Sequence, residues 1–338
     1  MSTVLVTGGT GFVGSYAIQR LLADGYRVRT TVRSPSRGQQ LRELLTRRGA
    51  ETATLEIVVA DLTADGGWIE AVTGCEFVLH VASPFPAGEP EHEDDLIIPA
   101  RDGALRVLRA AHSTGVSRVV LTSSFAAIGY SPKPTGEPYT EEDWTNPDGQ
   151  RPYIKSKTLA ERAAWDYARR AGLELTVINP TGIFGPPLGS DISASLGLIQ
   201  ALLSGAMPAI PDLSFGVVDV RDVVDLHLRA MTAPDARDQR IIAVGHAPVT
   251  LRSIAGILRE GLGPDAANVP TRNLPTWLVR ATAPFSARMA SLAPDLGKPK
   301  AISNQKAQHL LGWTPRPLED TILDTARGLL AEADQLTR

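Results

Sequence analysis

The sequence predicts an α/β fold: a doubly wound, mainly parallel sheet with a smaller, interleaved C-terminal lobe. Three observations carry that expectation. Short β-favouring runs alternate with amphipathic helical patterns from Thr3 to Pro180. A cluster of glycines separates the first strand from the first helix. Beyond Pro180 the alternation weakens, and proline, glycine and short helical patterns take over.

Composition allows this and excludes other classes. The chain has 338 residues, 43% of them hydrophobic, enough for a large core and a companion lobe. A formal charge of −3, without a stripe of basic residues interleaved with aromatics, argues against nucleic acid as a partner. Cys75 is the only cysteine, so neither an intrachain disulfide nor a cysteine metal cage is available, which suits a reducing cytoplasm. The N-terminus enters a strand at once, and no apolar run approaches the ~20 residues needed to span a bilayer. The expectation is a soluble cytoplasmic protein, monomer or homodimer, with no membrane partner.

The first strand is Thr3-Val4-Leu5-Val6-Thr7, breaking into Gly8-Gly9-Thr10-Gly11-Phe12-Val13-Gly14. A tight turn at Gly8, close backbone approach at Gly11 and close helix packing at Gly14 are what a Rossmann-type strand-to-helix junction over a pyrophosphate requires. Val13, Ala17, Ile18, Leu21 and Leu22 then share one helical face, and Gly25 is placed to end the helix. The helix N-terminus, with free N–H groups and its dipole, favours a phosphate.

Tyr26 to Arg33 is the second strand. Where a fold that prefers NAD carries an acidic residue, this chain has Arg33, with Arg37 just beyond, so a 2′-phosphate and hence NADP(H) is expected. As solvated surface arginines the two would have no such role. The third strand, Leu55 to Ala60, closes on Asp61-Leu62, and the fourth, Phe77 to Ala82, closes on Ser83-Pro84. Asp61 either begins a turn or caps a helix, or else accepts from an adenine amino group. His80 reads as a packed strand histidine. The acidic run from Glu89 to Asp95 suits a helix N-terminus rather than a metal, because no second histidine has ligand spacing to His92. A helix follows with Ala104, Leu105, Val107, Leu108 and Ala111 on its apolar side and Gly115 as its stop.

The fifth strand, Arg118 to Thr122, delivers Ser123-Ser124 to the glycine edge of the sheet. A Pro/Gly-rich loop runs from Ser131 to Pro152, a helix from Tyr153 to Gly172, and a sixth strand from Leu175 to Asn179, halted by Pro180. The dinucleotide-binding domain is thus placed at 1–182. Strand patterns at Val217-Val218 and Arg240 to Val244, with a helix from Val220 to Thr232 between them, suggest that 216–246 returns to the main sheet. The remainder of 183–338 is assigned to a substrate-binding lobe, chiefly 183–215 and 247–312, closed by a helix from Leu318 to Leu336.

Tyr153 and Lys157 are one helical turn apart, on one face. A free tyrosine titrates near ~10, and an adjacent ammonium is expected to lower that value, fitting Tyr153 to protonate a carbonyl oxygen. Ser124, on the neighbouring strand end, would hydrogen-bond the same oxygen. Each element alone is commonplace on a protein surface. In this order they form a constellation.

On the blocks VTGGTGFVGS, VRTTVRSP, ADL, HVASP, LTSSFA, YIKSKTLAERAAWDYA, INPTGIFGP, VDVRDVVDLHLRAM and LGWTPRPLED, the chain resembles an extended short-chain dehydrogenase/reductase. It is most similar to the branch holding dihydroflavonol 4-reductases, cinnamoyl-CoA reductases and carbonyl reductases. The resemblance implies Gly8, Gly11, Phe12 and Val13 as cofactor-loop residues, Arg33 as the 2′-phosphate ligand, and Asp61 and Leu62 as adenine contacts. Val81, Ala82 and Ser83 would line the cofactor, Lys157 would also hold the nicotinamide ribose, and Pro180, Thr181 and Ile183 would flank the nicotinamide. Where plant dihydroflavonol reductases carry an asparagine that reads substrate hydroxyls, this chain has Gly129.

The activity expected is NADPH-dependent reduction of an aldehyde or ketone. A nucleotide-sugar epimerase or dehydratase would use the same serine, tyrosine and lysine with NAD, against which Arg33 stands; a non-catalytic NADP-binding regulator would need neither Tyr153 nor Lys157. An apolar substrate pocket is expected from Phe85, Phe125, Ile128, Gly129, Tyr130, Phe184, Leu188, Leu213 and Phe215, with ordinary core packing as the alternative. No converging Arg or Lys is apparent there from sequence.

Overall fold

The computed structural model describes residues 2–84, 90–134, 136–189 and 193–336. Phe85 and Glu89 therefore lie outside the described residues. Strands and helices alternate as β1 (Thr3–Thr7), α1 (Phe12–Ala23), β2 (Arg27–Val32), α2 (Pro35–Arg47), β3 (Leu55–Val59), α3 (Trp68–Val72), β4 (Phe77–His80), α4 (Asp94–Ser113), β5 (Arg118–Thr122), α5 (Pro152–Ala171) and β6 (Leu175–Pro180). Side-chain alternation along β1 shows why this makes a three-layer sandwich. Val4 and Val6 join a core with α1, α2 and, further along the chain, 220–232, while Leu5 faces the opposite core with α3, α4 and α5. α2 presents only Gly38, Leu41 and Leu45 as buried residues, too thin an apolar stripe to read from sequence.

The chain continues as β7 (Gly182–Phe184), α6 (Ala194–Leu203), β8 (Ser214–Asp219), α7 (Val220–Thr232), β9 (Arg240–Ala243), β10 (His246–Thr250), α8 (Leu251–Leu262), α9 (Thr276–Thr282), α10 (Ala287–Leu292), α11 (Gln305–Leu311) and α12 (Leu318–Leu336). The main sheet has seven strands in the order β3-β2-β1-β4-β5-β6-β9, every pairing parallel. The order reverses between β1 and β4, where the carboxyl ends of the strands open a crevice.

The expected return of 216–246 to this sheet is split. β9 pairs with β6, and α7 packs on the main core, but β8 joins a separate three-stranded sheet in the order β10-β8-β7. The reason lies in adjacent residues: Val217 is buried in the second core and Val218 in the first. β8 is thus shared between two hydrophobic layers rather than added to one sheet. The second core also takes Leu196, Ile199 and Leu202 of α6, Ile254 and Leu258 of α8, and Ile322 and Ala326 of α12.

Polar bridges fix the seam between the cores. Asp219 is fully buried and caps α7, accepting from Arg221 N at 2.8 Å and Arg221 Nε at 2.9 Å. Arg221 reaches across to Asp324 at 2.8 Å, Arg316 Nε donates to Asp222 at 2.9 Å, and the Trp313 indole donates to the Asp222 carbonyl at 2.9 Å. These contacts give the blocks VDVRD and GWTPRP a shared physical role. Among the described residues no helix is long and apolar enough to cross a membrane, and no group of three His, Cys, Asp or Glu side chains is placed to hold a metal.

The glycine turn depends on close approach. Gly8 has φ +71°, and a Cβ there would meet the Ala82 Cα at 2.9 Å; a Cβ on Gly14 would sit 2.2 Å from the Gly8 carbonyl oxygen. Gly14→Ala therefore has to push helix and turn apart and should lower stability by roughly 1–3 kcal/mol. Gly197, inside α6 with nothing near its Cβ position, provides the contrast. Gly197→Ala should be neutral or stabilising by up to about 1 kcal/mol, and urea unfolding of the two variants checks both signs.

Candidate functional site

The carboxyl ends of β1, β2, β4, β5 and β6 bring most of the expected site residues to one edge. At the turn after β1, Gly11 N donates to the Gly8 carbonyl at 2.9 Å, and Phe12 and Val13 open α1 directly behind it. Val81, Ala82 and Ser83 follow β4 alongside. Ala82 N donates to Thr7 Oγ1 at 3.0 Å, and that hydroxyl also pairs with His80 Nδ1 at 2.8 Å. Burial first, and then the Lys157 charge, pushes the His80 imidazole down to about 3. His80 is therefore neutral and packed, as its strand position suggests.

Arg33, expected to end the second strand, instead directly follows β2 and is exposed, with no hydrogen bond or ion pair to the described residues. Beyond it α2 starts with Ser34 as N-cap and Pro35 in its first turn, the Ser34 and Ser36 hydroxyls lie 3.0 Å apart, and Arg37 is half-buried in the same turn. A strand-end guanidinium beside a helix N-terminus and two hydroxyls has the donor set that a phosphate monoester needs. Asp61 forms a local turn, its Oδ1 accepting from Thr63 N at 2.8 Å and Thr63 Oγ1 at 2.7 Å. These two bonds, with a smaller contribution from Arg33, hold its carboxyl below the usual range. The turn reading of Asp61 thus has its geometry, and its second carboxylate oxygen is not used in it. Leu62 packs on Gly103 of α4, and its carbonyl takes Arg106 Nη1 at 2.8 Å.

Ser124 follows β5 as the cap of a short 3₁₀ turn, Phe125–Ala127, accepting from Ala126 N at 3.1 Å. The Tyr153 hydroxyl stands 3.4 Å from Ser124 Oγ. Lys157 comes one turn later on α5, and its Nζ donates to Ser83 Oγ at 2.8 Å. Serine, tyrosine and lysine are thus joined to the β4 strand end. One expectation is corrected: the ammonium does not bring the phenol down. Lys157 Nζ is 6.0 Å from the centre of the Tyr153 ring and engaged by Ser83, and burial pushes the Tyr153 phenol up, with Ser124 opposing. Burial also lowers the Lys157 ammonium to about 8, with Glu161 opposing.

At the end of β6 Pro180 is buried, Thr181 N donates to the Ala243 carbonyl at 3.1 Å, and Ile183 sits in β7. Thr181 also fills the space over Gly216, 2.7 Å from where a Cβ would be, so it serves the join between the two sheets.

Sequence reasoning missed the network beneath these groups. The Glu161 carboxylate has no exposure, and it accepts from Ser123 Oγ at 2.5 Å, Asn179 Nδ2 at 2.6 Å, Arg240 Nε at 2.6 Å and the Trp165 indole at 3.3 Å. Asn179 Nδ2 also lies 3.2 Å from the Ser124 carbonyl, and the Arg240 guanidinium rests 3.6 Å over the Trp144 ring. The signal was present: Tyr153, Lys157 and Glu161 recur every fourth residue on one helix face.

The apolar pocket is corrected too. Phe125 and Ile128 belong to a buried cluster with Tyr139, Ile242 and Val244, and Phe184 lies in the second core, stacked on Phe215 with ring centres 6.1 Å apart. Leu188 is buried, while Leu213 and Phe215 are partly exposed. A Cβ on Gly129 would fall 2.0 Å from the Phe125 ring, so the ring occupies the space where a side chain there would begin. The absence of a converging cation is overturned as well, since Arg151 and Lys300 both lie close to Tyr130.

With this geometry in view, the likeness to known proteins can be placed. A model of the NAD dependent epimerase/dehydratase family matches residues 4–245. Tetraketide alpha-pyrone reductase 2 of Arabidopsis thaliana is 38% identical over 244 residues, covering 70% of this chain and 76% of that protein. Cinnamoyl-CoA reductase 1 of Petunia hybrida is 32% identical over 333 residues, covering 96% and 91%. The crystal structure of yeast methylglyoxal/isovaleraldehyde reductase complexed with NADPH superposes with a TM-score of 0.82 at 28% identity, covering 98% of this chain and 99% of the other.

A buried carboxylate with one cationic partner is costly to disturb. Glu161→Gln leaves the Arg240 guanidinium without its counter-charge and should destabilise the protein by about 3–5 kcal/mol. Asp166→Asn, which removes an exposed partner of Arg169 at 3.9 Å, should cost under about 1 kcal/mol. Denaturant midpoints measured for both variants against the parent protein check the contrast.

Proposed function

The chain belongs to the NAD dependent epimerase/dehydratase family, and from that premise we propose that it is an NADPH-dependent reductase of aldehydes or ketones. The observation that carries the reading is the contact of Tyr153 with Ser124, with Lys157 one helical turn away, at the strand edge that also holds the glycine turn. NADPH-bound relatives and reductase relatives support it.

The residues fit the cofactor. Gly8 and Gly14 leave a turn where backbone comes close to backbone, and the open Arg33 guanidinium beside the α2 N-terminus suits a 2′-phosphate, with Arg37 in reach of the same turn. Asp61, Leu62, Val81, Ala82, Ser83, Pro180, Thr181 and Ile183 would line the path from adenine to nicotinamide. When bound, NADPH supplies the hydride that adds to the carbonyl carbon.

The chain handles the oxygen. Burial raises the Tyr153 phenol, so it holds its proton at neutral pH and has it to give as negative charge grows on the carbonyl oxygen. Ser124 Oγ, beside that hydroxyl, hydrogen-bonds the same oxygen. Lys157 is cationic below about pH 8, so its positive charge favours negative charge on this edge. The products are an alcohol and NADP⁺: carbon gains a hydride, oxygen a proton, and the cofactor is oxidised. Compact aldehydes and ketones are expected to give better kcat/KM than nucleotide sugars or acyl-CoA esters.

A panel of carbonyl compounds with NADPH, followed at the nicotinamide absorbance, tests the reading, and a clear preference for a nucleotide sugar overturns it. Two variants locate the roles. Arg33→Ala should weaken NADPH binding by about ten- to a hundredfold through loss of a charge-assisted bond, while leaving NADH nearly unchanged; titration of both cofactors measures the difference. Tyr153→Phe should bind NADPH with near-parental affinity yet lose at least about a hundredfold in kcat, as single-turnover kinetics would show.

A further inference from the structure

The reaction above leaves four side chains beside the site unused: Tyr130, Arg151, Asp295 and Lys300. Lys300 Nζ stands 3.4 Å from the centre of the Tyr130 ring. Arg151 Nη2 donates to Asp295 Oδ2 at 2.7 Å, and its Nη1 to the Ser291 carbonyl at 3.2 Å. Both halves of the cluster adjoin the catalytic elements. Tyr130 follows the turn that Ser124 caps, and its carbonyl accepts from Gln150 Nε2 at 3.0 Å, just before Arg151 and Tyr153 enter α5. Burial pushes the Tyr130 phenol up to about 12, and the charges of Asp295, Arg151 and Tyr153 all bear on it.

The charges do not balance. Asp295 is claimed by Arg151, and Lys300 has neither a hydrogen-bond acceptor nor an ion-pair partner among the described residues. It is half-buried, and burial brings its ammonium down to about 8, so it is still a cation at neutral pH. A partly desolvated ammonium that rests on a ring face has three N–H donors, and none of them is received by an oxygen of the described residues. A snorkelling lysine would instead turn its head to open water.

We propose that Lys300 is a substrate anchor, donating to the carboxylate of a compact oxo acid whose ketone or aldehyde carbonyl lies between Ser124 and Tyr153, with the Tyr130 ring as the floor beneath the charge. The inference rests on the carbonyl reductase reading and names the substrate class of that site. A carboxylate suits the cluster better than a phosphate. Arg151 is already committed, so a single point-charge donor remains, and the neighbouring Asp295 carboxylate disfavours a second negative charge.

The test compares each oxo acid with its own methyl ester, which keeps the carbonyl and nearly the same size but removes the charge. Acetoacetate and 4-oxopentanoate with their methyl esters vary the spacing. For the pair of best-fitting length, the acid should exceed the ester in kcat/KM by about ten- to a hundredfold, the value of one charge-assisted hydrogen bond. Lys300→Met should bring that ratio close to one, and Lys300→Arg should keep most of it. Calorimetric binding of the acids to the NADPH-loaded protein, parent against Lys300→Met, gives a readout that does not need turnover. Equal rates for acid and ester at every spacing, or a ratio unmoved by Lys300→Met, overturns the anchor. Lys300-dependent binding without turnover of either compound would sink the reductase reading and leave the anchor standing.

Discussion

The carboxylate of Glu161 is the point on which the site's geometry depends. A fully buried anion needs a cation and hydrogen bonds on its remaining lone pairs, and here these come from Arg240 on β9, Ser123 after β5, Asn179 on β6 and Trp165 on its own helix. Four elements are thereby pinned to one atom group. Two of them are the neighbouring ends of β5 and β6, from which Ser124 and Pro180 follow, and the helix carries Lys157 and Tyr153 on the turns before Glu161. The arrangement has a cost: Asn179 Oδ1 and one Arg240 nitrogen are buried without hydrogen-bond partners among the described residues. Apolar side chains of similar volume in place of the Glu161–Arg240 pair could match the stability. They could not tie the Ser124 carbonyl, through Asn179 Nδ2, to the same anion that Ser123 contacts.

Much of this frame was legible because it obeys local rules. The six early strands, the long helix from Tyr153 and the glycine turn each carry a periodic or conformational signal within a dozen residues, and so do the left-handed stops at Gly25, Gly115 and Gly172. What sequence hid was set by distant partners. β8 carries a strand pattern, but its sheet is decided by Val217 and Val218 burying in different cores. Phe125 and Ile128 were indistinguishable from pocket residues until Tyr139, Ile242 and Val244 closed over them. The link from Arg151 to Asp295 spans 144 positions, and no short pattern announces it.

The electrostatics were the hardest part to read, because they depend on desolvation more than on spacing. Two groups one helical turn apart suggested that the lysine would lower the tyrosine. Burial acts on both in opposite senses, raising the phenol and lowering the ammonium, and each therefore moves toward its neutral form. The Ser83 hydroxyl further directs Lys157 away from the phenol and toward the β4 end. A phenol that keeps its proton is a better match to the reductive direction, in which it must give one, than a phenolate prepared to take one. The neutral His80 belongs to the same economy of charge: an imidazolium behind Thr7 would add a second cation beside Lys157, the one charge that bears on the ring.

The second core is fastened to the main sheet on two sides by different means. Asp219 and Asp222 hold Arg221 and Arg316 at the root of α7, and Arg221 extends to Asp324 of α12, so that side of the lobe is fastened by ionic contacts to buried carboxylates. On the other side the fastening is Arg151 with Asp295 and the pairing of Tyr139 with Ile302, both of which attach the segment before α11 to the loop and helix bearing Tyr130 and Tyr153. That second attachment is more exposed, with Arg151 and Asp295 40% and 33% accessible. Solvent screens such a pair, so it holds the segment more weakly than the buried root does. The segment that follows Lys300 is held more firmly, with Tyr139 N donating to the Ala301 carbonyl and Ser303 N to the Tyr139 carbonyl, each at 2.9 Å, and Asn304 Nδ2 to the Val244 carbonyl at 2.9 Å. The exposed ion pair therefore adds little to this attachment, and the backbone pairing of Tyr139 with Ile302 is what keeps Lys300 beside the Tyr130 ring.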